Sequence, residues 1–129
     1  MVIEFIPADR GVVSLPEEQR QLCLNPVERT LFRLFLLHPE GISADDLLLH
    51  WPELCRLYEK ESRYDDKPLR DSAMESLCGE SKSVFYATVS RIKKKLVGVL
   101  GPLKADDYII QRDSQGLYRI RGLRKDGCS

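Results

Sequence analysis

The sequence predicts an α+β domain in which a small N-terminal antiparallel sheet is followed by helices and then by a β-hairpin. Three observations carry this expectation. Apolar, β-branched runs before residue 25 are short and broken by turn residues. From residue 26 to about 100 the apolar residues recur at helical spacing. Beyond residue 107, two short runs flank the turn Asp113-Ser114-Gln115-Gly116, with glycine where a positive φ is needed.

In chain order, Val2–Ile6, Val12–Leu15 and Gln21–Leu24 read as strands, separated by Pro7–Gly11 and Pro16–Glu18. Asn25 is an N-cap, Pro26 suits the first helical position and Glu28 completes a capping box. Val27, Leu31, Leu34 and Phe35 form the apolar stripe of that helix, widened by Phe32, Leu36 and Leu37, until Pro39–Gly41 stops it. Ser43 caps a second helix with Asp46 in its first turn and Leu47, Leu48 and Leu49 as its apolar face. Pro52 ends it near His50 or Trp51 and starts a third helix, Pro52–Glu61. Arg63–Lys67 reads as a charged loop, and Pro68 opens a short helix to Cys78.

The segment from Ser83 to about Leu100 has its apolar residues Phe85, Val89, Ile92, Leu96 and Val99 spaced 4, 3, 4 and 3 apart. Its opposite side carries Ser83, Ala87, Ser90 and Lys94, flanked by Tyr86 and Arg91, while Lys93 and Lys95 border the buried stripe. Small residues in the early turns permit close approach to a polyanion, and the later cations reach phosphates or base edges. The same pattern also describes an ordinary surface helix with cations near its C-terminus. The strands Tyr108–Arg112 and Leu117–Arg121 follow, with Arg112, Arg119 and Arg121.

With 129 residues, 43% hydrophobic and 31% charged, the chain is expected to be one globular domain with its own core. No apolar run approaches the ~20 residues of a membrane span. The first seven residues lack a basic n-region, so a secretory signal is not expected. Cys23, Cys55, Cys78 and Cys128 contain no close pair, and His38 and His50 are the only histidines. This spacing gives no zinc motif, so no metal or cofactor is expected and the cysteines read as reduced thiols of a cytoplasmic protein. The 20 bases balance the 20 acids, but they are sorted along the chain. Residues 43–80 hold 5 bases and 10 acids, whereas residues 81–129 hold 11 bases and 4 acids, a net +7. A basic C-terminal third on a neutral protein points to a localised anionic partner.

Together, the runs Leu24-Asn25-Pro26-Val27-Glu28, Ile42-Ser43-Ala44-Asp45-Asp46-Leu47, Val89-Ser90-Arg91-Ile92-Lys93-Lys94-Lys95-Leu96, Tyr108-Ile109-Ile110-Gln111-Arg112 and Leu117-Tyr118-Arg119-Ile120 are family-like. With Trp51, they resemble the OmpR/PhoB-type winged helix-turn-helix DNA-binding domain of bacterial transcriptional regulators, over about residues 10–121. The resemblance implies a single winged-helix domain. Its parts are the small sheet at 1–24, helices 1 and 2 at 25–51, a recognition helix at 81–101 and a wing hairpin at 107–121. Residues 52–80 then form an acidic helical insertion where the family has a short loop. The wing turn is one residue longer than in the family, and a receiver domain is not expected before residue 24.

Carried over residue by residue, the family's DNA-contacting positions in the recognition helix fall on Thr88, Ser90, Arg91 and Lys94, and those in the wing on Arg112 and Ser114. Ser83, Tyr86 and Ala87 join them on the exposed helix face. Arg91 is the expected base reader, because a guanidinium can bond two acceptors of guanine, and Lys94 and Arg112 are expected on phosphates. The competing reading of Arg91 is a salt bridge to the acidic insertion. The expected function is sequence-specific binding of double-stranded DNA by a regulator without a receiver domain. A protein partner for insertion 52–80 and a homodimer are compatible with it; a membrane is not. The alternative is a winged-helix protein-interaction module that leaves DNA alone. An enzyme is not expected. Ser90 and Lys93 match an SxxK spacing, but its companion motifs are missing, and Asp45-Asp46, Asp65-Asp66 and Asp106-Asp107 read as solvated acids.

Overall fold

A computed structural model of the protein describes residues 3–5, 12–61, 72, 74–79 and 82–123. The expected charged loop Arg63–Lys67, the acids Asp65, Asp66 and Asp71, and Cys128 lie outside the described residues. The fold is α+β, with two three-stranded antiparallel sheets among the described residues.

The first sheet has the order β1 (Glu4–Phe5), β2 (Val12–Leu15) and β3 (Arg20–Cys23). Val13 pairs with Leu22, and alternation along β2 buries Val13 and Leu15. Pro16–Glu18 make one 3₁₀ turn, closed by Gln19 in the left-handed region.

Helix α1 (Pro26–Leu37) begins with the expected capping box. The Asn25 side chain accepts from the Glu28 amide at 2.8 Å, and the Asn25 amide donates to Glu28 Oε1 at 3.0 Å. Leu31, Phe32, Leu34 and Phe35 are buried, and α1 packs against the later helices Trp51–Glu61 and Ser83–Leu100. Gly41, at φ +100°, turns the chain into β4 (Ile42–Ser43); a Cβ on Gly41 would lie 3.0 Å from Leu117 Cβ.

Ser43 caps the next element as expected, accepting from the Asp46 amide at 3.2 Å. That element is a 3₁₀ helix, Ala44–His50, where an α-helix was anticipated. At three residues per turn it presents a narrow apolar edge. Leu47 is therefore buried, while Leu48 and Leu49 are 60% and 77% exposed, contrary to the continuous apolar face expected of them. Helix α2 (Trp51–Glu61) starts one residue before the expected boundary, with Pro52 tolerated in its first turn. Residues 74–77 are helical and bury Met74 and Leu77.

Helix α3 (Ser83–Leu100) has the expected span and buries Phe85, Ile92 and Leu96 against α1 and β3. Gly101, at φ +83°, ends it, and a short turn α4 (Pro102–Ala105) follows that periodicity did not reveal. The hairpin consists of β5 (Ile110–Arg112) and β6 (Leu117–Ile120). It is shorter than anticipated because Tyr108 and Ile109 sit buried in the preceding turn. β6 is central in the second sheet, with β5 on one side and β4 on the other, through Ile42 opposite Tyr118.

Candidate nucleic-acid interface

The long helix α3 and the hairpin lie side by side and are joined by aromatic rings. Tyr118 of β6 meets Phe85 edge-on, with centroids 5.1 Å apart at 88°, and lies 6.3 Å from Tyr86. Phe85 in turn packs on Phe35 of α1 at 6.4 Å, so the core itself sets the spacing between helix and hairpin. Burial and a hydrogen bond with Tyr86 raise the Tyr118 hydroxyl above its ordinary pKa, partly offset by the nearby Arg112 cation. A groove runs between the two elements, with Tyr86, Ser90 and Lys93 on the helix side and Gln111, Arg112 and Tyr118 on the hairpin side.

Most of the anticipated contact residues fall on one exposed surface. Ser83, Tyr86, Ala87, Ser90, Arg91 and Lys94 are exposed on α3; Arg112 is exposed across the groove, and Ser114 at the hairpin turn. Thr88 does not belong with them. It is fully buried, and its hydroxyl donates to the Val84 carbonyl at 2.7 Å and accepts from Arg91 Nη2 at 3.2 Å. One helical turn from both Phe85 and Ile92, it faces the core, beyond reach of a ligand on the outer surface.

Arg91 also departs from expectation. It does form a salt bridge, but to Glu28 in the first turn of α1, Nε to Oε2 at 3.3 Å, and not to the acidic insertion. Lys95 reaches the other oxygen of the same carboxylate at 2.5 Å. Glu28 is fully buried, whereas the side chains of Arg91 and Lys95 are 50% and 40% exposed. A buried carboxylate needs such partners, since an uncompensated charge there is strongly destabilising. Two of the donors of Arg91 are thereby committed within the protein.

Other cations are partnered too: Arg121 with Asp106 at 2.6 Å, Arg119 with Asp113 at 3.4 Å and Lys82 with Asp45 at 3.4 Å. Among the described residues, Lys93, Lys94 and Arg112 carry no ion pair. Lys93 was expected only at the border of the apolar stripe. Its place beside the groove depends on the hairpin's position, which helical spacing does not contain. The hairpin turn is held by Asp113, whose carboxylate accepts from the amides of Gln115 and Leu117 at 2.8 and 3.0 Å. The Leu117 amide bond leads the effects that lower its pKa, with Arg119 contributing.

A second polar cluster is built from residues of other elements. Glu53 Oε1 is 2.8 Å from His38 Nε2 and 3.3 Å from His50 Nδ1, and Glu40 Oε2 is 3.0 Å from His38 Nδ1. Burial works against ionisation of both His38 and Glu53, but their mutual hydrogen bond and its neighbours outweigh it, raising the one and lowering the other. The Cys78 thiol is pushed up to about 11, first by burial and then by Cys55, so it is protonated near neutrality. Among the described residues no helix is long and apolar enough to cross a membrane. Comparison with models of protein families, with curated proteins and with solved structures finds no match to this chain.

Proposed function

We propose that the chain is a winged-helix domain that binds double-stranded DNA sequence-specifically and acts in transcriptional regulation. The carrying observation is the groove between α3 and the hairpin, with Lys93 on one side and Arg112 on the other, neither of them ion-paired among the described residues. The pairing of β4 with the hairpin, behind a helix whose outer face is small, hydroxylic and then basic, supports the same reading. In it, α3 enters the major groove with Ser83, Ala87 and Ser90 foremost, and Ser90 and Tyr86 reach base edges. Lys93, Lys94 and Arg112 hold phosphates, which fix register and supply most of the affinity. Arg91 is a positioning residue, ordering α3 on α1 through Glu28.

Selection of bound sequences from a random duplex pool tests this. An enriched motif is expected, with a log–log salt slope on the order of −3 to −5 from a handful of displaced counterions. No duplex binding at ~50 mM salt refutes the reading for this chain. The alternative, a protein-interaction module, draws on exposed Leu48 and Leu49 beside the exposed acids Asp45 and Asp46. It takes over if DNA binding fails while Leu48→Ser blocks association with a partner protein.

A further inference from the structure

We propose that His38, His50 and Glu53 form a binding site for one divalent transition-metal ion of the zinc class, independent of DNA binding. The three residues come from three elements: His38 caps the C-terminal end of α1, His50 ends the 3₁₀ helix, and Glu53 lies in the first turn of α2. One ring nitrogen of each histidine and a Glu53 oxygen lie within 4.8 Å of one another, and His38 Nε2 and His50 Nδ1 are the nitrogens that face Glu53 Oε1.

The chemistry of the donors selects the ion. Two imidazole nitrogens and one carboxylate oxygen suit Zn²⁺, Co²⁺ or Ni²⁺, whereas Mg²⁺ and Ca²⁺ require oxygen ligands nearly throughout. An ion held tetrahedrally at about 2.0–2.1 Å from each donor sets the donors roughly 3.4 Å apart. The observed 3.3 Å between His50 and Glu53 already fits, the 2.8 Å between His38 and Glu53 needs an opening of about half an ångström, and the two ring nitrogens, within 4.8 Å of each other, settle to the same spacing by rotation of the rings.

Two further features suit a bound ion. Glu40 sits on Nδ1 of His38, the ring nitrogen facing away from the cluster. A carboxylate in that place directs the other nitrogen's lone pair to a metal and raises its basicity. The three donor side chains are 22–25% exposed, which leaves a solvent-facing side for entry and for a water as fourth ligand. Once bound, the ion ties the end of α1 to the start of α2. The cysteine spacing, which gives no zinc motif, has no bearing on this site, because its three donors are two imidazoles and a carboxylate.

The test uses the full chain, purified without a histidine tag, kept reduced and stripped with a chelator. Zn²⁺ titrated against a chromophoric chelator should bind at one ion per chain. His50→Gln and Glu53→Gln should each weaken it more than about 100-fold, and Glu40→Gln about 10-fold, as loss of an outer partner does. Circular dichroism in chelator verifies the fold of each variant. Substoichiometric or no binding by the wild type overturns the proposal. So does affinity that survives both ligand substitutions, or a Co²⁺ spectrum with thiolate charge-transfer bands, which places the ion on cysteine. Should a variant fail to fold, ring-nitrogen resonances of the two histidines in the wild type decide. Saturable Zn²⁺ shifts at both rings support the site, and unshifted rings overturn it.

Discussion

Lys95 of α3 reaches across the domain to Glu28 of α1, Nζ to Oε1 at 2.5 Å, and Glu28 is also the residue that closes α1's own capping box. One carboxylate thus starts a helix and fastens it to another. An amide at this position keeps an acceptor for the capping box but loses the charge that Arg91 and Lys95 share, so Glu28→Gln should destabilise the protein by about 1–3 kcal/mol in urea unfolding. The loss stays moderate because the released cations are about half exposed and rehydrate. A double-mutant cycle of Glu28→Gln with Lys95→Met should show a coupling of about 0.5 kcal/mol or more.

The DNA reading divides the basic residues into two groups. Lys94→Ala and Arg112→Ala should leave the melting temperature unchanged and flatten the salt slope by about one unit each, on preferred and random duplexes alike. Arg91→Ala should lower the melting temperature and weaken both duplexes by a similar factor, because it acts through Glu28. With Thr88 buried, Ser90→Ala is the substitution expected to weaken only the preferred site. A loss confined to that site on Arg91→Ala would make Arg91 the base reader.

Two glycines should respond differently to alanine. Gly116 holds φ +85° at the hairpin turn, but a Cβ there meets nothing closer than 3.8 Å. Its replacement should cost about 1–2 kcal/mol, from the backbone conformation alone. Gly41 combines φ +100° with a Cβ position 3.2 Å from the Tyr118 carbonyl oxygen. Gly41→Ala should exceed the other by about 1 kcal/mol or more, since backbone must move. Thermal melts of the two variants compare them directly.

Acid should loosen the hairpin turn before the core. The Asp113 pKa is lower in the folded protein than in the unfolded chain, chiefly through the Leu117 amide and also through Gln115 and Arg119. Its stabilising effect is therefore present above the unfolded-state value of 3.8 and is lost as pH falls through the lower folded value. The amide resonances of Gln115 and Leu117 should titrate together in that window, and Asp113→Asn should abolish the transition.

Elements built from local patterns were legible in the chain. Asn25 and Glu28 announced the start of α1, the 4-3-4-3 spacing gave α3, and Asp113 to Gly116 gave the turn. What depended on distant partners was not. Nothing near Glu28 shows that it will be buried beneath Arg91 and Lys95, and Leu48 and Leu49 look like core until the helix tightens to three residues per turn. The site divides in the same way. The exposed face of α3 follows from its period, whereas the groove beside Lys93 and the His38–Glu53 cluster exist only after the elements pack.

The two-residue strand β4 has a consequence for biosynthesis. It leaves the ribosome well before its partner β6, since Ile42 pairs with Tyr118 and Ser43 with Leu117. At roughly 5–20 residues per second, the interval is several seconds. During it, α1 can fold and the first sheet can zip up, while the backbone of Ile42 and Ser43 waits unpaired. So short an edge offers a neighbouring nascent chain little to template on, and this brevity protects the waiting intermediate.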